Sequence, residues 1–149
     1  MSIFNAINTS ASALTAGRLR MDVVSSNIAN AQTTRATINE NGEFEPYRRK
    51  MVVLKEKNAN FNTFLQKASN TSTNRGVTVS RIVEDDEPFK MVFNPTHPDA
   101  NNEGYVAMPN VDPLQEMVDL MSATRSYEAN VTSLNASKNM LMKALEIGK

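Results

Sequence analysis

The chain contains no cysteine and no tryptophan. Without cysteine there is no disulfide frame, no thiolate nucleophile and no cysteine-based metal site. Aromatic residues make up 6% of the 149 residues, which is thin for the core of one ordinary domain. The formal net charge is zero, so no general basic field draws the chain to nucleic acid or to anionic lipid. No run of about 18 apolar residues is present, so no membrane insertion is expected. The stretch MSIFNAINTSASALTAGRLR has no basic segment followed by an apolar one, so a cleavable signal peptide is not expected.

The residues that could carry chemistry are few. His97 is the single histidine, and THPD offers only Asp99 beside it, which is not metal-ligand spacing. It reads as a turn residue. The acidic run Glu84, Asp85, Asp86 and Glu87 lacks the glycine and alternating ligands of a calcium loop and reads as a solvated loop. Arg48, Arg49 and Lys50 read as edge protection on one strand. Serine and threonine are plentiful, but no base accompanies them, and no glycine-rich phosphate loop occurs. No catalytic, cofactor or metal residue is nominated, no cofactor is expected, and an enzyme is not the favoured class.

What the sequence does have is two long patterned ends. From about Ser2 to Asn30, Ile7, Leu14, Met21 and Ile28 recur every seven residues, flanked by Val24, and predict a long amphipathic helix. The seam is weak: Arg18 and Ser25 stand where a strong coiled coil places large apolar residues. Gly17, in mid-helix, costs roughly 1 kcal/mol relative to alanine and suits a close approach by another backbone. The helix should end in SSNIANAQTT, where Asn30 tolerates the left-handed conformation and Thr33 and Thr34 begin a turn. From about Asp112 to Gly148 a second helix is expected. Asp112 can cap it and Pro113 suits its first position. Met117, Leu120, Met121, Thr124, Tyr127, Val131, Leu134, Leu141 and Leu145 then follow mostly at spacings of three and four. Such a helix is on the order of 50 Å long at 1.5 Å per residue.

Between the ends, YRRKMVVLKE (47–56), GVTVSRIVE (76–84) and FKMVF (89–93) are short β-type runs. ENGEFEP carries a turn signal at Asn41 and Gly42. Residues 57–75 read as a polar loop, and NPTHPDANNEGY as a cluster of turns returning the chain to the last helix. The expected class is α+β. Two long terminal helices, residues 1–34 and 112–149, pair as a discontinuous coiled-coil-like axial domain around a small β-rich middle domain, 35–111. Each helix has more apolar stripe than one partner can bury, which favours self-association or partner helices. A soluble helical adaptor or export chaperone, binding a client through the same amphipathic ends, is the alternative.

SSNIANAQT resembles the N-terminal signature of the bacterial flagellar axial proteins, the rod and hook family. YRRKMVVL, GVTVSRIVEDDEPFKMVFNPTHPDAN, GYVAMPNVDPLQEMVDLMSATRSYEANV and LNASKNMLMKALEIGK look like its proximal-rod members. The C-terminal block is the most specific, and the likeness covers both ends and most of the middle. It implies a structural subunit of the flagellar basal body. Such a subunit passes the type III export apparatus without signal cleavage and polymerises through its terminal helices into a tubular drive shaft. The implied partners are further copies, other rod proteins and the base beneath the rod. The residues named on the two seams, with Asn27 and Asn30, are then the expected subunit interface.

Overall fold

The computed structural model describes residues 3–39, 42–57 and 76–147. Most of the polar loop expected at 57–75 lies outside the described residues, as do Asn41 and Gly148. Helix α1 spans Ile3–Ala29, and α2 spans Pro113–Ile147. Between them lie β1 (Thr37–Ile38), β2 (Phe44–Glu45), β3 (Lys50–Glu56), β4 (Val77–Glu84), β5 (Lys90–Phe93) and β6 (Tyr105–Met108). They form three two-stranded sheets, β1–β2, β3–β4 and β5–β6. The class is α+β, as the sequence indicates. The described chain divides into two compact units, one of Met1–Arg20, Val53–Arg81 and Ser122–Lys149, the other of Met21–Val52 and Ile82–Met121.

The first unit is held together by small residues. Ala16, Ala123, Ser10 and Ser137 are buried, and three hydroxyl residues of α1 turn back onto the helix. Thr9 donates to the Asn5 carbonyl, Ser12 to Thr9 and Thr15 to Ala11, which satisfies these groups without a partner element. Ser12 Oγ also accepts the Val77 amide at 3.0 Å, tying α1 to the start of β4. The chain passes so close here that a Cβ on Gly76 would stand 2.3 Å from that oxygen.

Gly17 faces a ring, not another backbone: a Cβ built there meets Tyr127 Cδ2 at 3.7 Å, an ordinary contact. Gly17→Ala should therefore recover most of the helix penalty and stabilise the isolated chain by up to about 1 kcal/mol, read from urea unfolding. A loss of stability would mean that α1 and α2 pack too tightly at this point for a methyl group.

In the second unit, β5 and β6 pair antiparallel with Met91 opposite Ala107 and Phe93 opposite Tyr105. The Phe93 and Tyr105 rings meet edge to face, centroids 5.4 Å apart, a favoured aromatic geometry. The turn before β6 needs Gly104, whose φ is +82° and whose absent Cβ would lie 2.9 Å from the Phe93 ring. Only Tyr105, the first residue of β6, falls within the expected turn cluster NPTHPDANNEGY (94–105), and the rest of the strand has no counterpart in the sequence reading. Four residues with one β-branched side chain, Val106, give too short a period to register.

Helix α2 starts as its sequence predicts. Asp112 Oδ1 accepts the Leu114 amide at 3.0 Å, and Pro113 takes the first helical position, where its missing N–H costs nothing. Helix α1 ends at Ala29, where Asn30 donates both its backbone N–H and its side-chain amide to the Ser26 carbonyl.

Candidate functional site

The polar stretch at the end of α1 has a specific structural purpose, carried mainly by Asn27. Its side chain is 1% exposed and uses its full bonding capacity. Nδ2 donates to the Lys50 carbonyl at 2.9 Å and to Glu116 Oε2 at 3.0 Å. Oδ1 accepts the Lys50 amide and the Tyr47 hydroxyl, each at 3.0 Å. The orientation of the amide follows from the chemistry, because a carbonyl and a carboxylate only accept and a backbone N–H only donates. Asn27 thus holds both polar groups of one β3 residue, as a neighbouring strand would.

Glu116, 0% exposed, is the second member. Its Oε1 accepts Arg49 Nε at 2.6 Å. Arg49 also donates from Nη1 to Asp85 at 3.2 Å and lies 3.6 Å from Asp119, while its backbone N–H goes to Asn110 Oδ1 at 2.8 Å. Asn110 in turn donates to the carbonyls of Asp85 and Glu87. Burial works against the Arg49 charge. The bonds and charges of Glu116 and Asp85 outweigh it, so the guanidinium is held more firmly protonated than usual. Among the described residues no buried side-chain nitrogen or oxygen is left without a partner, which is the condition for such a network to stabilise. It joins the end of α1, the start of β3, the Asp85 loop and the first turn of α2.

Two sequence readings change here. Arg49 is not edge protection: it is the half-buried cation paired with buried Glu116. Asp85 is not merely solvated, since it bonds that cation. The pairing of Arg49 with Glu116 spans 67 positions, and neither residue carries a local sign of the other. His97 does sit in a turn, with its N–H on the Asn94 carbonyl and its Nδ1 accepting the Asp99 amide.

Asp99 is also bonded by Thr34 Oγ1 at 2.8 Å and by Arg35, whose Nε stands at 2.7 Å. Arg35 and Thr34 hold the Asp99 carboxyl below its ordinary range. A lowered folded value means that this contribution to stability is present above the ordinary aspartate value and lost as pH falls through the folded one. An NMR titration of Asp99 should place its midpoint below an unperturbed aspartate, and Arg35→Gln should raise it. An unshifted midpoint in the native chain would exclude a lasting pair.

The nominated interface residues separate by exposure. Val24 and Asn27 are buried. Ile7, Leu14, Met21, Ile28 and Asn30 on or just after α1 are half-buried, as are Leu120, Thr124, Tyr127, Val131, Leu134 and Leu141 on α2. Met117, Met121 and Leu145 are exposed, Met117 by 49% and Met121 by 61%. The expected single stripe on α2 is two faces near its N-terminus. Glu116, Leu120 and Ala123 define the covered side. At about 100° per residue, Leu114, Met117, Val118 and Met121 fall on the other side, and all four are exposed. A soluble chain rarely leaves such a continuous apolar patch uncovered.

Among the described residues the buried polar side chains are paired within the chain and apolar residues face outward along a long helix, an arrangement that suits a structural protein working through its surfaces. Residues 7–37 match the family described as "Flagella basal body rod protein", and residues 102–147 the family described as "Flagellar basal body rod FlgEFG protein C-terminal". The chain is similar to the flagellar basal-body rod protein FlgC of Bacillus subtilis (strain 168), 63% identical with both chains covered in full. It is similar to FlgC of Borreliella burgdorferi, 40% identical over 99% of this chain and 98% of that one. With FlgC of Escherichia coli O157:H7 it shares 40% identity, again over the whole of both. The chain belongs to the bacterial flagellar basal-body rod protein family, within its FlgC group. Its kinship is with structural rod subunits, which disfavours the adaptor reading and gives no support to an enzymatic one.

Proposed function

We propose that this chain polymerises through α1 and α2 into the proximal part of the flagellar rod, a tubular drive shaft. In the assembled state residues 1–34 and 112–149 act as the helical axial domain and 35–111 as the β-rich domain. The observation that carries this reading is the outward apolar face of α2, Leu114 to Met121, on the side of the helix away from Glu116. Neighbouring subunits would cover it, together with the half-buried seam residues Ile7, Leu14, Tyr127 and Leu134. A heterologous contact of this kind that does not close on itself generates a helical polymer.

The partners on this reading are further copies, other rod proteins and the basal-body base beneath them. The chain reaches them through the flagellar type III export apparatus, without removal of a signal peptide. The weak seam of α1 suits a chain that crosses a narrow channel before it folds fully. Purified basal bodies provide the test. The protein should sediment with them and be absent from the soluble fraction of detergent-treated cells. Recovery only as a soluble monomer, in cells that build rods normally, would sink the proposal.

A further inference from the structure

The chain has nine methionines and no cysteine, so its thioethers are its only readily oxidised sulfur. Met117 and Met121 stand four residues apart on α2, one turn from each other, 49% and 61% exposed beside exposed Leu114 and Val118. Neither belongs to the covered side of α2, formed by Glu116, Leu120 and Ala123. We propose that Met117 and Met121 form an oxidation-sensitive gate on assembly: a peroxide converts them to sulfoxides on the unassembled subunit and bars that subunit from the polymer until it is repaired. The inference rests on the reading of this face as a subunit contact.

The chemistry balances without any group on the protein. The thioether sulfur gives up an electron pair and takes one oxygen from the peroxide. The O–O bond breaks and the second oxygen leaves as water, so sulfur is oxidised by two electrons and the peroxide reduced by two. The product is a polar, chiral group in place of a flexible apolar one. On an exposed face this leaves the fold of the subunit intact. In a dry helix contact it places two S=O dipoles where nothing is offered to bond them. Methionine sulfoxide reductases return the sulfur to the thioether, so the block is reversible. Met91, Met140 and Met142 are also exposed, but Met91 is on β5 and the other two stand about five turns further along α2.

The test begins with the purified chain and hydrogen peroxide. Peptide mass spectrometry should find one added oxygen on Met117 and on Met121, with an unchanged circular dichroism spectrum. Cells lacking methionine sulfoxide reductases then receive a peroxide pulse before rod assembly is induced. They carry either the native chain or Met117→Leu/Met121→Leu. Incorporation of the native chain into basal bodies should fall several-fold, while the leucine variant loses little under the same dose. Two results overturn the proposal: sulfoxides at both positions with normal incorporation, or equal losses in the two strains. If the leucine variant fails to assemble even without peroxide, restored reductase decides instead. Recovery of the native chain's incorporation supports the gate, and no recovery overturns it. Failure of the underlying reading has a different signature, namely normal assembly of untreated Met121→Asp.

Discussion

Arg49→Leu is expected to be the most destabilising single substitution in the unit of Met21–Val52 and Ile82–Met121, at about 3–5 kcal/mol, the usual cost of removing one partner from a buried ion pair. Glu116 has no exposure to water, and its carboxylate rests on Arg49 at 2.6 Å and Asn27 at 3.0 Å. Leucine takes away the cation and leaves the charge. A single small domain has about 5–15 kcal/mol of stability in all, so the loss takes a large share. Amide exchange within this unit gives the reading, because unfolding of the whole chain need not be one transition. Protection lowered by less than about 1 kcal/mol would mean that water already reaches Glu116 in solution, in the range of an exposed ion pair.

Further variants separate charge from hydrogen bonding. Glu116→Gln removes the charge and one acceptor, because its amide N–H2 has to face either the Arg49 or the Asn27 donor, so its cost should be near that of one lost charged hydrogen bond, about 1.5–3 kcal/mol. Arg49→Leu with Glu116→Leu should cost less than the sum of the two single changes, since neither charge is then stranded. Asn27→Leu removes at once the partner of the Lys50 peptide groups, of one Glu116 oxygen and of the Tyr47 hydroxyl, to which only Ser26 Oγ at 3.4 Å is then left, and should approach the effect of Arg49→Leu. The network's stake is positional as well as energetic. It fixes where α1 ends and where α2 begins, and the orientation of the outward α2 face follows from that.

Much of this molecule is written locally and some of it is not. The start of α2 was legible because Asp112 and Pro113 act on their immediate neighbours. The runs over 76–84 and 89–93 became β4 and β5 nearly as spaced, since alternation is a property of adjacent residues. Strand β3 begins at Lys50, not at Tyr47: the Tyr47 and Arg49 side chains enter the network, and their N–H groups go to the Thr33 carbonyl and to Asn110 Oδ1 instead of a neighbouring strand. That redirection depends on Asn27 and Glu116, far away in sequence. Asn27 itself could be nominated, because an amide-rich helix end on a sparse apolar seam is unusual. Its partners could not be, since nothing in RRK tells which cation turns toward Glu116. The helix seam was legible as apolar spacing, but not as two faces. Spacings of three and four describe Met117 and Met121 as well as Leu120 and Leu134, and only the position of the covering residues divides them.

Met121→Asp should separate folding from assembly. The side chain is 61% exposed, so an aspartate there remains in water in the isolated subunit and should change its stability by no more than about 0.5 kcal/mol, as surface substitutions do. Against a neighbouring helix the same carboxylate has to be buried without a partner or take up a proton, at several kcal/mol. Each 1.4 kcal/mol is tenfold in an association constant, and a polymer repeats the loss at every subunit. Cells carrying Met121→Asp should export the protein at normal levels, fail to retain it in basal bodies and be non-motile. Ser133→Asp, also exposed but off the Leu114–Met121 cluster, is the control and should assemble. Leu134→Asp is expected to fail in both respects, because Leu134 is already half-covered within its own chain and a charge there weakens the subunit before any neighbour arrives. Secreted, soluble and basal-body fractions measured separately for the three variants distinguish these outcomes. If Met121→Asp is recovered in basal bodies as readily as the native chain, the outward face of α2 remains open to water in the rod, and the contact that builds the polymer lies elsewhere on the helices.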